Sequence, residues 1–391
     1  MKKNIMDVSR SLLVACLLSV PSLLLVACGG GSSTGAPSDA QVQLDDVYYT
    51  DMYEWNASGG LTQTKLGRGI NLGNYLEAPS EGEWTEGRVI VEEDLHRIAE
   101  AGFKTVRIPI RWTAHAAANA PYQIDADFIA RVKQVVDWTL AEQLKVVINV
   151  HHYEAMMNDG EAMQEVHIKR LVGIWQQISQ AFPLSEYGQE QVMFELLNEP
   201  NGSIGYDDWN DIVARLTDLI WTNMADQQNN GDQQRKIVIG TANWGHPDGL
   251  THLQLPASVN ANNTIITVHY YEPFHFTHQG ASWVAGANDW IGTPWLGTQS
   301  DQQPLIALFD RVSAWNEQPG RGFEIYMGEF GVYSGYAAAE YQRAWTAFIA
   351  REAEKRNISW AYWEYASGFG AYNAEAGEWR PALMQGLIPQ S

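Results

Sequence analysis

Val192-Met193-Phe194-Glu195-Leu196-Leu197-Asn198-Glu199-Pro200-Asn201-Gly202 is the stretch on which the reading of the chain turns. It is an apolar run of about the length of a buried strand, and it stops on a corner where Pro200 removes a ladder donor and Gly202 frees the backbone. Glu199 therefore stands at the C-terminal end of a strand. A second carboxylate arrives the same way within Phe323-Glu324-Ile325-Tyr326-Met327-Gly328-Glu329-Phe330-Gly331, where Gly328 and Gly331 bracket Glu329. Two carboxylates on two strand ends point to acid/base or nucleophilic chemistry on an ether or acetal.

Outward from these two runs, strand-like and helix-like segments alternate eight times, the pattern of a parallel sheet wrapped by helices. The strands are expected at Leu66–Leu72, Thr105–Ile110, Lys145–Val150, Val192–Leu197, Lys236–Gly240, Ile265–His269, Glu324–Gly328 and Ile358–Trp363. Amphipathic stretches lie between them at Glu92–Ala101, Asp127–Glu142, His167–Phe182, Tyr206–Met224, Leu305–Trp315 and Ala338–Arg356. The fifth crossover offers only Leu250–Ser258, with Pro247 and Pro256 close by, so its helix should be short. A single (β/α)8 TIM barrel accounts for the length of residues 45–391. In such a barrel the working groups come from the C-terminal strand ends. Those ends carry Asn71, Asn74, Arg107, Trp112, His151, His152, Asn198, Glu199, Asn243, Trp244, His269, Tyr271, Glu329 and Trp363, whereas the opposite ends carry little beyond Lys145, Lys236 and apolar residues.

The first 27 residues have the grammar of an export signal: Lys2, Lys3 and Arg10 precede an apolar run too short and too interrupted for a membrane span. It ends in Leu25-Val26-Ala27-Cys28-Gly29, which resembles a bacterial lipobox, so Cys28 is expected to carry lipid. Residues 28–44 then read as a Gly/Ser-rich linker. Cys16 and Cys28 are the only cysteines, leaving the expected globular part without a disulfide or a Cys metal site. The 46 acidic residues against 25 basic ones argue against nucleic acid, which needs clustered cations. The 16 Trp and 17 Tyr fill core, and also suit a neutral, flat-faced ligand such as a sugar.

At this point the residues resemble a known family, the family 5 glycoside hydrolases, the cellulase family among retaining (β/α)8 glycosidases. The resemblance runs from about Leu66 to Trp379. It rests on Gly67-Arg68-Gly69-Ile70-Asn71-Leu72-Gly73-Asn74, Val106-Arg107-Ile108-Pro109-Ile110-Arg111-Trp112, Asn149-Val150-His151-His152, Leu197-Asn198-Glu199-Pro200, Val268-His269-Tyr270-Tyr271-Glu272-Pro273, Gly328-Glu329-Phe330-Gly331 and Trp360-Ala361-Tyr362-Trp363-Glu364. It implies Glu199 as general acid/base and Glu329 as nucleophile. It also implies that Asn198 holds the 2-hydroxyl of the sugar being cleaved, that Arg107 and Tyr271 flank the nucleophile, that His151 and His269 complete the polar floor, and that Trp363 stacks under that sugar. Asn74 and His152 join the expected substrate contacts. Glu199 should be the less solvated, carboxylate-repelled partner. Because strand alternation would send Asn198 and Glu199 to opposite faces, a bulge or sharp bend is expected there. By the same resemblance the Trp363–Glu364 peptide should be cis.

Several of these residues also have plainer readings. Glu195 and Glu324 are strand-borne acids away from strand ends, expected to be structural or solvent-facing. His151-His152, with His115, His269, His275 and His278, invites a metal, but His-Glu-x-x-His spacing is absent and hydrogen-bonded cleft histidines are favoured; no metal or cofactor is expected. Gly67-Arg-Gly and Gly368-Phe-Gly match no phosphate-loop pattern. Trp84, Trp244, Trp283, Trp290, Trp295 and Trp379 fall in rim loops, where each either pins a loop or stacks on sugar. The loop from Tyr270 to about Asp301 is long enough to be functional, and its Glu272–Ala281 segment resembles enzymes that cut β-1,4-glucans, some accepting mannans.

These readings converge on an exported, lipid-tethered, monomeric endo-β-1,4-glucanase acting on soluble or amorphous β-linked polysaccharide. The rivals are a β-mannanase, xyloglucanase or mixed-linkage glucanase on the same barrel, a non-catalytic glycan-binding lipoprotein, and a metal-dependent barrel hydrolase.

Overall fold

Eight short parallel strands close on themselves in chain order: β1 (Arg68–Asn71), β2 (Thr105–Ile108), β3 (Lys145–Asn149), β4 (Val192–Glu195), β5 (Ile237–Ile239), β6 (Thr264–Tyr270), β7 (Glu324–Phe330) and β8 (Ile358–Tyr362), with β8 pairing back onto β1. The structure is a computed structural model, and it describes residues 44–49, 66–225 and 235–389. The expected signal, Cys28 and all of the linker but Leu44 lie outside the described residues. Leu44 itself is buried in the core, and the 3-10 helix Asp46–Tyr49 follows, its Tyr48 hydroxyl donating to Glu352 at 3.0 Å.

The strands are almost entirely buried, as the Val/Ile-rich runs of a helix-covered parallel sheet must be. The crossovers are the helices Glu92–Glu100, Ala126–Ala141, Gln164–Ala181, Tyr206–Ala225, Gln299–Asn316 and Ala339–Glu354. Asp125 starts the second by accepting the Asp127 amide, and Thr298 and Asp301 close a capping box on the Gln299 helix. That box starts the helix ahead of Pro304, earlier than the expected Leu305. The fifth crossover is short, as anticipated, but it is a 3-10 helix over Pro247–His252 rather than a segment at Leu250–Ser258. Pro247 initiates it, because a first-turn proline gives up an amide that has no partner anyway.

Side-chain alternation along the strands sorts the two faces. Leu66, Val147, Met193, Val238, Ile265, Tyr326 and Ala361 form their own buried cluster, apart from the main core beneath the helices. Two residues further along the same columns come Asn149, Glu195, Thr267, Gly328 and Trp363, and two beyond Asn149 and Thr267 come His151 and His269. The interior is therefore apolar below and polar at the C-terminal rim.

Candidate active site

Arg107, at the end of β2, is the fixed point of the rim. It is fully buried, and all five of its N–H donors are engaged. Nε and one Nη2 proton form a fork on Glu195, with distances of 2.6 and 2.8 Å. The other Nη2 proton goes to Asn198 Oδ1 at 2.8 Å. Nη1 donates to Asn71 Oδ1 at 3.0 Å and to Glu329 Oε1 at 2.7 Å. Asn71 in turn donates to the Gly328 carbonyl at 2.9 Å, tying β1 to the strand that carries Glu329. Glu195 is thus structural and buried, not solvent-facing: it is the anion that holds the arginine in place. Glu324 is likewise structural, accepting from the Leu66 amide at 2.7 Å and the Ser359 hydroxyl at 3.0 Å.

Backbone irregularities turn both carboxylates inward. Asn198 and Glu199 lie beyond β4, where Glu199 adopts a left-handed φ of 47°, the expected sharp bend. At β7 a register shift falls between Met327 and Phe330, and His269 pairs with Glu329 instead of Gly328. Without that bulge the alternation would send Glu329 outward with Met327. The bulge needs a glycine: a Cβ on Gly328 would lie 2.7 Å from Thr267 Oγ1.

Between the carboxylates sits His269. Its Nδ1 is 2.7 Å from Glu199 Oε1 and 3.7 Å from Glu329 Oε2, and Tyr271 donates to Glu329 Oε2 at 3.0 Å. One donor atom from each of Glu199, His269 and Glu329 lies within 4.8 Å of the others, so the three could hold a divalent ion. The His269–Glu199 hydrogen bond and the bonds from Arg107 and Tyr271 to Glu329 also account for these contacts.

The two acids differ in their partners more than in their burial. The Glu199 side chain is 25% exposed and that of Glu329 6%, so Glu199 is not the less solvated of the pair. Burial nonetheless raises the Glu199 pKa, and the Glu329 charge adds to this, against the hydrogen bond and charge of His269 and the charge of Arg107. For Glu329 burial also favours the neutral form, but His269, Arg107 and the hydrogen bonds from Tyr271 and Arg107 outweigh it and hold the pKa below the usual range. His269 is pushed up by the same two carboxylates against its burial. The arrangement therefore favours a protonated Glu199 beside an ionised Glu329.

The remaining expected residues border this centre. His151 is buried, its pKa well below the ordinary value through burial, and its Nδ1 meets Asn149 Nδ2 at 3.0 Å; the neutral ring thus carries its proton on Nε2. Its ring lies parallel to Trp363, with centroids 5.8 Å apart. His152, lowered to about 4 by burial, stands edge-on to His151 and to Trp84. Asn74 takes a left-handed φ of 72° and donates its amide to Glu77; no side-chain hydrogen bond joins it to the carboxylates. The Trp363–Glu364 peptide is cis.

Of the other histidines that suggest a metal, His115 stacks on Phe128 and His275 on Trp290, while His278 stacks on Phe274 and stands edge-on to Tyr271 behind the nucleophile. Among the rim tryptophans, Trp295 is buried and Trp379 packs on Phe103, Tyr365 and Tyr372, whereas Trp84, Trp244 and Trp283 are 40%, 52% and 60% exposed. Sequence reasoning missed Glu77, a buried acid with one oxygen unpartnered, and the role of Glu195. An acid three residues before Asn198, in phase with the inward-facing Met193, was the available signal for the latter.

A closed eight-stranded barrel with paired carboxylates at its rim defines a class of glycoside-cleaving enzymes. The chain belongs to the cellulase family, glycosyl hydrolase family 5, which matches residues 67–368. It is similar to Endoglucanase H of Acetivibrio thermocellus, 34% identical over 77% of this chain and 29% of that one, and to Cellulase/esterase CelE of the same organism, 27% identical over 82% and 39%. The chain thus spans well under half the length of these two relatives. Among solved structures it is similar to Thermotoga maritima Cel5A, seen in complex with mannotriose and with cellobiose, at 43% identity and a TM-score of 0.75, covering 84% of this chain and the whole of that one.

Proposed function

We propose that the chain is a retaining endo-β-1,4-glucanase. The observation that carries this is the Glu199–Glu329 pair, with donor oxygens within 4.8 Å and opposite protonation biases. Retaining pairs stand about 5–5.5 Å apart, whereas inverting pairs stand about 6.5–9.5 Å apart to admit a water. Glu329 attacks the anomeric carbon while Glu199 gives its proton to the departing glycosidic oxygen. Once Glu329 is esterified its charge is gone, the repulsion that helped raise Glu199 disappears, and Glu199 can take the proton of an incoming water. The water then releases the sugar, with two inversions giving net retention. Asn198, whose Oδ1 is taken by Arg107, keeps its Nδ2 donor for a sugar hydroxyl, and Trp363 and His151 offer one flat and one polar surface to the ring.

The similarity to endoglucanases favours β-1,4-glucan. The complex of the Thermotoga relative with mannotriose supports β-mannan as a second substrate class. Reducing-end release from carboxymethylcellulose, mixed-linkage β-glucan, xyloglucan and glucomannan, with Glu329→Gln as control, tests both. Fastest release from glucans, abolished in the variant, is expected. Release from none, with oligosaccharide still bound, would instead identify a glycan-capturing protein. We propose further that the enzyme is exported and tethered as a monomer through Cys28; Cys28→Ser should move it from the membrane fraction to the soluble one, and unchanged fractionation would refute the tether.

A further inference from the structure

His269 holds the carboxyl end of Glu199, and a different set of residues holds its backbone end. Glu199 has a φ of 47°, a conformation that L-residues avoid unless the surroundings impose it. Among the described residues its peptide oxygen accepts one hydrogen bond, from the Asn201 side-chain amide at 2.7 Å. The orientation of that amide follows from its chemistry: with Oδ1 turned to the Glu199 carbonyl two acceptors would meet, so Nδ2 faces it. The nearby backbone cannot take its place. Pro200 has no N–H, and the Asn201 amide already donates to Met157 Sδ at 3.5 Å. The Asn201 carbonyl, in turn, accepts the Ile204 amide at 3.0 Å. Met157 lies buried on the short helix Glu154–Asn158 that follows β3, and its carbonyl accepts the Ser203 amide at 2.8 Å. Gly202, at a φ of 59°, passes so close that a Cβ there would lie 2.4 Å from the Met157 carbonyl oxygen. Ser203 Oγ accepts the Gly160 amide at 3.1 Å. The loop after β4 is thus anchored to the loop after β3, and Asn201 is the side chain that carries this anchorage to the acid's own peptide.

We propose that Asn201 is a positioning residue for proton transfer: by holding the Glu199 peptide it aims the carboxyl at the glycosidic oxygen. This rests on the retaining-glucanase reading above. Asn201 acts through Glu199 and not on the sugar. Proton donation depends on the distance between donor and leaving oxygen, and a misplacement of about 1 Å costs about 100-fold. Glu329 is held by Arg107 and Tyr271 and keeps its place without Asn201. Loss of Asn201 should therefore damage protonation of the leaving group and leave nucleophilic attack intact.

The test compares kcat/KM of wild type, Asn201→Ala and Asn201→Asp on phenyl and on 2,4-dinitrophenyl β-cellotrioside. Phenoxide needs a proton to depart, whereas dinitrophenolate leaves without one. Both variants should lose about 10-fold or more on the phenyl substrate and less than about 3-fold on the dinitrophenyl one. Aspartate has the size of asparagine but no donor, so its loss separates the hydrogen bond from packing. Turnover of the dinitrophenyl substrate reports that the variants are folded. Equal losses on the two substrates, no loss on the phenyl one, or full phenyl activity in Asn201→Asp would overturn the assignment. A wild type inert on both would overturn the glucanase reading and this role with it.

Discussion

At the scale of single residues, the site depends on how one buried guanidinium divides its five hydrogen bonds. Arg107 gives two to Glu195, which fixes it, and one each to Asn71, Asn198 and Glu329, which it fixes in turn. A lysine keeps the charge but not the fork. Arg107→Lys should therefore lower the stability by about 3 kcal/mol in chemical denaturation, the scale of breaking a buried pair, and remove most activity. His269 acts on the two catalytic acids in the same direction. Its charge is the leading influence that lowers Glu329, and its hydrogen bond lowers Glu199. With His269→Asn both pKa values rise. Glu329 then becomes protonated at a higher pH, so the acid limb of kcat/KM moves up; Glu199 keeps its proton to a higher pH, so the alkaline limb moves up as well. A pH profile that narrows from the alkaline side would contradict this.

At the scale of elements, the bulge in β7 decides whether the nucleophile faces the barrel interior or the helices. Gly328→Ala places a methyl against Thr267 Oγ1 at 2.7 Å and near His269 Nε2 at 3.3 Å. The expected cost is about 1–3 kcal/mol with a larger loss of activity, and Thr267→Ala in the same chain should recover part of both. Additive losses in the double variant would show that the contact is not the cause. This element also marks where reading the sequence stopped. All eight strands were legible, because most are apolar runs bounded by turn residues, as a parallel sheet buried on both faces requires, and the polar β1, Arg68–Asn71, lies within the Gly67–Asn74 block of the family resemblance. The bend at Glu199 was legible because two side chains were required on one face. The β7 bulge was not, since Gly328 next to Glu329 reads equally as a strand end. The Thr298 cap went unread because the amphipathic run becomes apparent only at Leu305, past Pro304, and the partners of Glu195 and Glu77 were hidden because a buried acid shows its role only through contacts that the fold creates.

At the scale of the whole molecule, stability and catalysis should respond differently to pH. Glu77 and Glu364 are completely buried, and burial raises them to about 8 and about 7. An acid whose pKa is higher folded than unfolded stabilises the protein fully below its unfolded value, and that contribution is lost as pH rises through the folded value. The melting temperature should accordingly fall by several degrees between about pH 5 and about pH 8, and the fall should be roughly halved in Glu77→Gln. A flat melting profile in the wild type would contradict the burial of these acids as neutral groups. The central claim, that Glu329 attacks while Glu199 gives and takes back one proton, is tested most directly by the anomeric configuration of the first product, followed by proton NMR during cellotetraose hydrolysis. The account predicts that the β-anomer appears first and then mutarotates; initial release of the α-anomer would contradict it.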